Sequence, residues 1–136
     1  MLRFIDRAGI DLVVNARTDG FLYGVENPLE ASIERGNRYL AAGADCVFVP
    51  GATDREVIGQ LVDALDGPLN VYALPGVPEV SELKRLGVTR VSVGCGPYQA
   101  CLALVDDATR ALLADGVYDP FLEKHLTVPE VQALVG

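Results

Sequence analysis

Short apolar runs alternate with longer amphipathic stretches along the chain. The apolar runs are rich in valine and bounded by polar or turn residues, which is typical of parallel strands buried on both faces. They occupy Asp11–Asn15, Asp45–Val49, Leu69–Ala73 and Arg90–Val93. This pattern predicts four strands of one parallel sheet.

Helix start and stop signals lie between these runs. The first predicted helix begins at Asn27 as N-cap, with Pro28 at its first position and Glu30 as a capping-box element, and it ends before Gly43. Further helices are predicted from Thr53, with Glu56 three residues later, to before Gly67, from Pro78 to Leu86, from Pro97 to before Gly116, and after Thr127, with Glu130 as its capping-box element.

The alternation of strands and helices implies a parallel sheet with right-handed crossovers, hence an α/β fold. Two architectures fit four β/α units: an open doubly wound sheet, or part of a (β/α)8 barrel, whose full form takes about 250 residues. The first strand leads into Arg17–Gly20 without a GxGxxG turn, which disfavours a dinucleotide-binding fold. Met1–Ala8, followed by Gly9, is typical of the last turns of a helix and favours a barrel whose earlier units are missing. We therefore expect residues 1–136 to form a single partial domain.

Candidate chemistry lies where barrels place it, at the carboxyl ends of the strands. Arg17 would emerge there, and a guanidinium can grip a carboxylate or phosphoryl group with two hydrogen bonds. The alternative is an Arg17–Asp19 ion pair that only fixes the loop. Gly94 and Gly96 precede a predicted helix, where small residues can admit an anion to free backbone N–H groups, although glycines also serve simply to bend the chain.

Several motifs resemble the isocitrate lyase/phosphoenolpyruvate mutase superfamily. The segment Val14–Gly20 (VNARTDG) is similar to the NARTD motif of that family, and Ala42–Gly51 (AGADCVFVPG) follows it in the family's order. Further matching pieces are Glu30-Ala31, Arg38–Leu40, Gly67–Val71, Leu83–Val88 and Arg90–Gly94. The resemblance covers essentially the whole chain.

The resemblance implies the C-terminal half of a TIM barrel, from the fifth strand to the eighth. It implies a Mg²⁺-dependent lyase or mutase that acts on C–C or P–C bonds of a small carboxylate or phosphonate substrate. Arg17 would bind the acidic group of the substrate, with Asn15 and the loops at Gly51, Gly76 and Gly94 shaping the site. Gly96 is counted with them as a candidate substrate-binding residue. The family's aspartate-rich metal motif has no match in this chain, so we expect no metal ligand and no catalytic residue here.

Two local features refine this expectation. Relatives that cleave 2-methylisocitrate carry a glutamate near the end of the sixth strand, whereas the matching run here, Cys46–Gly51, contains no acid. This difference favours the phosphonomutase-like branch. The nearest acidic pair, Asp106-Asp107, lies inside the last long helix and is expected on its solvated face.

Composition excludes several other classes of function. The net charge is −8 with no cluster of Lys or Arg, which argues against nucleic acid as a partner. No run approaches the roughly 20 apolar residues of a membrane span. The three cysteines lack CxxC spacing, which fits a reducing cytoplasm. Cys46 and Cys101 are expected in the core, and Cys95 is expected to be a small residue at the barrel mouth.

A different class of function is also open, namely a non-catalytic half-barrel remnant or assembly module. A half-barrel leaves two unpaired sheet edges and an apolar inner face, to which Val13, Val47, Val71 and Val91 are expected to contribute. Both features favour association, so we expect a homo-oligomer or a complementary N-terminal half as partner.

Overall fold

The computed structural model describes Gly9 and residues 11–136, so the helix predicted at Met1–Ala8 lies outside the described residues. Four strands alternate with helices along this part of the chain. The strands are β1 (Asn15–Arg17), β2 (Cys46–Phe48), β3 (Leu69–Tyr72) and β4 (Arg90–Ser92). The helices are α1 (Pro28–Ala41), α2 (Arg55–Ala64), α3 (Val80–Leu86), α4 (Gly96–Asp115), α5 (Asp119–Leu122) and α6 (Val128–Val135).

The four strands form one sheet in the order β1-β2-β3-β4, and each neighbouring pair is parallel. Sequential order with a helix in every crossover is the arrangement of consecutive barrel units. The prediction of an α/β fold built from four parallel β/α units is therefore confirmed.

The first strand is displaced from its predicted position. We expected Asp11–Asn15, but β1 is Asn15–Arg17, and Val13 is 72% exposed. The reason lies in β2, which begins only at Cys46. The carbonyl of Val14 accepts from the backbone N–H groups of Asp45 and Cys46, and the Val14 N–H donates to the Asp45 carboxylate at 2.7 Å, so the residues before Val14 have no strand beside them.

The predicted helix starts lie close to the observed ones, but the capping interactions sometimes differ from those predicted. Asn27 is the N-cap of α1, yet its backbone is left-handed (φ 50°) and its side chain makes no capping hydrogen bond. The second helix is capped by Asp54 rather than Thr53, because the Asp54 carboxylate accepts from the N–H groups of Glu56 and Val57 at 2.9 and 3.0 Å. The capping box predicted at Thr127 and Glu130 is confirmed. The short helix α5 was missed.

The hydrophobic core lies between the sheet and its helices. Strand residues Val47, Leu69 and Val71 pack there against Ile58 and Leu61 of α2. Leu83 and the partly buried Val91 join the same cluster. The expectation that Val47, Val71 and Val91 point into a barrel interior was therefore wrong, because these side chains face the helices.

Close approach of α1 to the sheet depends on a glycine. A Cβ atom at Gly36 would lie 2.5 Å from Leu65 Cδ2 and 3.1 Å from Val47 Cγ1. The neighbouring Asn37 donates to the carbonyl of Ala64 and accepts from the N–H of Asp66, both at 2.9 Å. These bonds satisfy backbone groups that the end of α2 leaves open.

The described residues form two compact units, divided after Gly94. The first holds the whole sheet and α1 to α3. The second consists of α4, α5 and α6, and α4 contacts α5. The expectation of one partial domain stays a prediction. None of the helices in the described part of the chain is both long and apolar enough to span a membrane.

Candidate functional site

A cavity of about 520 Å³ opens on the face of the sheet that the helices leave uncovered. Because side chains alternate along a strand, the residues between the core valines point to this side. We call it the open face and define it by Arg17, Phe48, Asn70, Tyr72, Arg90 and Ser92. All of these except Asn70 line the cavity, together with Leu22, Pro50, Val91, Val93 and Gly94.

Arg17 is the last residue of β1, so its backbone position puts the side chain at the carboxyl end of the sheet. Its guanidinium lies 5.6 Å from the centre of the Phe48 ring and donates through Nε to Asp19 Oδ1 at 2.5 Å. The Asp19 ion pair that the sequence offered as one alternative forms, and Arg17 also lines the cavity with a half-exposed side chain. The binding of an acidic group by Arg17 stays a prediction. Asp19 fixes one edge of the guanidinium and leaves the Nη groups toward other partners.

Gly94 forms part of the cavity wall directly after β4. Its backbone is left-handed, with φ at 52°, and a Cβ atom there would lie 2.6 Å from the Tyr72 hydroxyl oxygen. Glycine is thus required twice, for the turn and for the approach of Tyr72. The ring of Tyr72 also meets that of Phe48 edge to face, with centroids 6.4 Å apart, which sets the position of both rings in the wall.

The other two predicted site residues do not line the cavity. Asn15 begins β1 rather than ending it, and its buried Oδ1 accepts no hydrogen bond from the residues that the structure describes. Gly96 is the first residue of α4 in the second unit. Their role in binding stays a prediction.

Three polar residues of the open face were missed by the sequence reasoning. Asn70 is fully buried and exchanges hydrogen bonds with Ser92, at 3.0 and 3.2 Å between side-chain atoms. Arg90 begins β4 and is a second arginine among the residues that line the cavity, although it also lines a pocket beside α3. The signal that could have found them is the two-residue alternation in RVS, which puts Arg90 and Ser92 on the same side.

The cysteines differ in environment. Cys46 is buried, as expected, and burial raises the pKa of its thiol, an effect that nearby Arg90 partly offsets. Cys101 is exposed, so its expected place in the core was wrong, because that part of α4 is largely uncovered. Asp106 lies on the solvated surface, as expected, and its hydrogen bond with Arg110 lowers the pKa of its carboxyl.

The described residues do not fit a magnesium ion. They contain no group of three or more His, Cys, Asp or Glu side chains that could hold a metal, and no carboxylate lines the cavity. Mg²⁺ needs oxygen ligands, usually including carboxylates. The cavity of the described residues is instead a cationic surface with aromatic walls, suited to holding an anion.

Several known proteins are similar to this chain in sequence or in fold. An uncharacterized protein of Mycobacterium tuberculosis is 39% identical over 106 residues, which make up 78% of this chain and 40% of that protein. An oxaloacetate decarboxylase of Pseudomonas fluorescens is 35% identical over 107 residues, 77% of this chain and 36% of the enzyme. The solved structure of 2,3-dimethylmalate lyase, a PEP mutase/isocitrate lyase superfamily member, matches with a TM-score of 0.79 and 28% identity.

The chain spans less than half of each of these proteins. Its match to 2,3-dimethylmalate lyase covers 99% of this chain and 48% of that structure, so the predicted half-barrel fold is confirmed. The sequence profile of the phosphoenolpyruvate phosphomutase family matches residues 2–113. The chain therefore belongs to the phosphoenolpyruvate phosphomutase family, within the PEP mutase/isocitrate lyase superfamily.

Proposed function

We propose that this chain is the substrate-binding half of a lyase or mutase that acts on C–C or P–C bonds of a small carboxylate or phosphonate. Mg²⁺ and its acidic ligands would belong to a complementary half-barrel, because the described residues offer no site for the ion. The observation that supports the proposal is Arg17, a guanidinium at the carboxyl end of β1 that faces the cavity in a chain of this family.

Each part of the cavity has a distinct task in this proposal. Arg17 binds the acidic group of the substrate, while Asp19 and the Phe48 ring hold its guanidinium plane in place. Tyr72 and Gly94 shape the wall beside it. Asn15 and Gly96 are proposed to contribute from the start of β1 and the start of α4. Water exclusion and proton transfer would depend on the half that covers the open face.

The test combines this chain with a complementary half. We would express it alone and together with the N-terminal half of the Pseudomonas fluorescens oxaloacetate decarboxylase, and follow Mg²⁺-dependent loss of oxaloacetate by absorbance. The expected result is no Mg²⁺-dependent turnover by this chain alone and turnover by the combined halves. Arg17→Ala should abolish that turnover, whereas Arg35→Ala, a change of an exposed arginine on α1, should not.

Stability gives the matching control. Arg17→Ala should leave the free energy of unfolding within ~1 kcal/mol, because its ion pair is half exposed. A larger loss would mean that the Asp19 pair is structural. Calorimetry that found Mg²⁺ bound to this chain alone, more tightly than to surface carboxylates, would contradict the proposed division of labour.

The same experiment addresses a non-catalytic assembly module. Two strands, β1 and β4, lie at the ends of the sheet, and each has one side without a neighbouring strand among the described residues. Such edges favour association. If the two halves form a stable complex that turns over neither oxaloacetate nor phosphonopyruvate, the assembly role is the better description.

A further inference from the structure

Four residues at the carboxyl end of the sheet form a connected row. Arg17, Phe48 and Tyr72 are the last residues of β1, β2 and β3, and Gly94 follows the end of β4 by two residues. All four line the cavity, and each lies against the next. The position of each member of this row therefore depends on its neighbours.

The Arg17 guanidinium is held at one edge and on one face. Asp19 accepts from Nε at the edge, and the centre of the Phe48 ring lies 5.6 Å from the guanidinium carbon on the face. The two side chains of the Asp19 ion pair are 50% and 34% exposed, and an ion pair so open to solvent contributes little by itself. The orientation of the guanidinium plane therefore depends largely on the Phe48 ring.

The Phe48 ring is in turn oriented by Tyr72. Phe48 pairs with Asn70 in the register of β2 and β3, so Tyr72 lies two residues further toward the carboxyl end. The two ring centroids are 6.4 Å apart with the ring planes at 85°, the edge-to-face arrangement that aromatic pairs favour. The ring torsion of phenylalanine has broad energy minima, so a ring without such a neighbour is poorly fixed.

Gly94 holds Tyr72 from the side of β4. A Cβ atom at Gly94 would lie 2.6 Å from the Tyr72 hydroxyl oxygen, 2.7 Å from Cε2 and 2.9 Å from Cζ. The outer end of the Tyr72 ring thus occupies the space that a side chain at position 94 would fill. Tyr72 therefore connects the turn after β4 with Arg17 on β1, and the connection passes through Phe48.

We propose that Tyr72 is a positioning residue for Arg17: its ring holds the Phe48 ring against the guanidinium and so fixes the plane that an anion meets. This inference rests on the proposed function only for the role of Arg17 in binding. An arginine side chain loses rotational freedom when it binds a ligand, and orienting it beforehand lowers that cost. Tyr72 therefore strengthens anion binding through its ring, two strands away from Arg17, and not through its hydroxyl group.

The test observes Arg17 directly in the ligand-free chain. NMR of the ¹⁵N-labelled chain would follow the Nε–Hε signal of Arg17, assigned by its loss in Arg17→Lys. Tyr72→Leu should shift this signal and speed the exchange of Hε with water, because the Phe48 ring is released. Tyr72→Phe, which keeps the ring, should leave the signal unchanged. Tyr118→Leu, which removes a 61% exposed ring from the second unit, should also leave it unchanged.

A titration with malonate at low ionic strength measures the consequence for binding. Tyr72→Leu should weaken malonate binding about fivefold, the size of effect expected from one aromatic pair, and Tyr72→Phe should not weaken it. Phe48→Leu should have a similar effect, and the double variant should bind no more weakly than either single variant, because Tyr72 acts through Phe48. Gly94→Ala moves the Tyr72 ring instead of removing it and should also shift the Arg17 signal. The backbone amide spectrum of each variant reports whether it is folded.

The outcomes distinguish this inference from the proposed function. An Arg17 signal that is unchanged in Tyr72→Leu would overturn the inference, although Arg17 could still bind the substrate. Equal effects of Tyr72→Phe and Tyr72→Leu would overturn it too, as would additive losses in the double variant, since the two rings would then act independently. If the Arg17 signal responds as expected but the unmodified chain binds no malonate, the positioning role holds and the proposed function loses its support.

Discussion

The two faces of the sheet are built from the same short strands but have opposite character. Toward the helices, Val47, Leu69 and Val71 are almost fully buried in one apolar cluster. Toward the open side, the intervening positions hold arginine, asparagine, serine and aromatic rings. A strand whose sequence is mostly apolar can thus have an apolar packing face and a polar face. The helix-covered face stabilises the fold, and the open face carries the polar side chains of the candidate site.

The largest expected effect is on the helix-covered face. Leu69→Ala removes a side chain that is 1% exposed from the centre of the cluster. It should cost about 2–5 kcal/mol of unfolding free energy, through lost burial and the cavity left behind. Chemical denaturation followed by circular dichroism measures this loss.

The matched control is the same substitution outside the cluster. Leu12 is 54% exposed, so Leu12→Ala should change stability by no more than about 0.5 kcal/mol. Equal losses for the two variants would contradict the distinction between a packing face and the remaining surface.

An intermediate loss of stability is expected from substitution of Gly94, the glycine beside Tyr72 at the open face. Gly94→Ala puts a side chain on a left-handed residue and a Cβ atom against the Tyr72 hydroxyl. The backbone conformation alone should cost about 1–2 kcal/mol. Thermal melting would detect it, and the amide signals of the cavity wall should shift.

Gly59→Ala is the control for this variant. Gly59 lies inside α2, and the nearest atom to an added Cβ is Leu86 Cδ2 at an ordinary 3.8 Å. This change should be neutral or stabilise the chain by up to about 1 kcal/mol, because alanine favours helices. If both glycine variants lose stability equally, the strain at Gly94 is not the cause.

The smallest expected effect on stability lies in the second unit and comes from hydrogen bonds rather than from buried apolar surface. The Glu130 carboxylate accepts from the Thr127 N–H and hydroxyl, both at 2.7 Å, and these bonds lower the pKa of Glu130. A lowered pKa in the folded state means that the stabilisation is present above the unfolded pKa and is lost as the pH falls through the folded one.

NMR can follow this titration through the Thr127 amide between pH 7 and pH 2. The amide should shift as Glu130 is protonated, at a pH below the ordinary range for a glutamate, and Glu130→Gln should abolish the shift. A titration at the ordinary pH would show that the capping box does not hold in solution.

The sequence predicted the last three strands to within one residue at each end, because each valine-rich run has a neighbouring strand over most of its length. It misplaced β1, since the apolar residues Leu12 and Val13 precede the point where β2 begins. The start of an edge strand is set by backbone pairing with its neighbouring strand rather than by its own hydrophobic residues. The sequence of one strand does not show where the neighbouring strand begins.

The candidate site could be anticipated only in part, for a similar reason. Arg17 and Gly94 were chosen by the rule that barrels place function at the carboxyl ends of strands, and both line the cavity, while their role in binding stays a prediction. Arg90 was missed because it starts its strand. A shift of one position along a strand moves a residue from one face of the sheet to the other. The helices cover one face, and which residues lie on that face depends on contacts between segments that are distant in sequence.

The sequential parallel order of the strands has a consequence for symmetry. A second copy, turned by half a revolution about an axis along the strands, would present its β1 to β4 and its β4 to β1, closing an eight-stranded ring. That ring would enclose two copies of Arg90, each without an acidic neighbour among the described residues, inside a single lumen. Like charges repel strongly when water is excluded. Closure by an identical copy is therefore disfavoured electrostatically, and a dissimilar half that brings carboxylates is the better match.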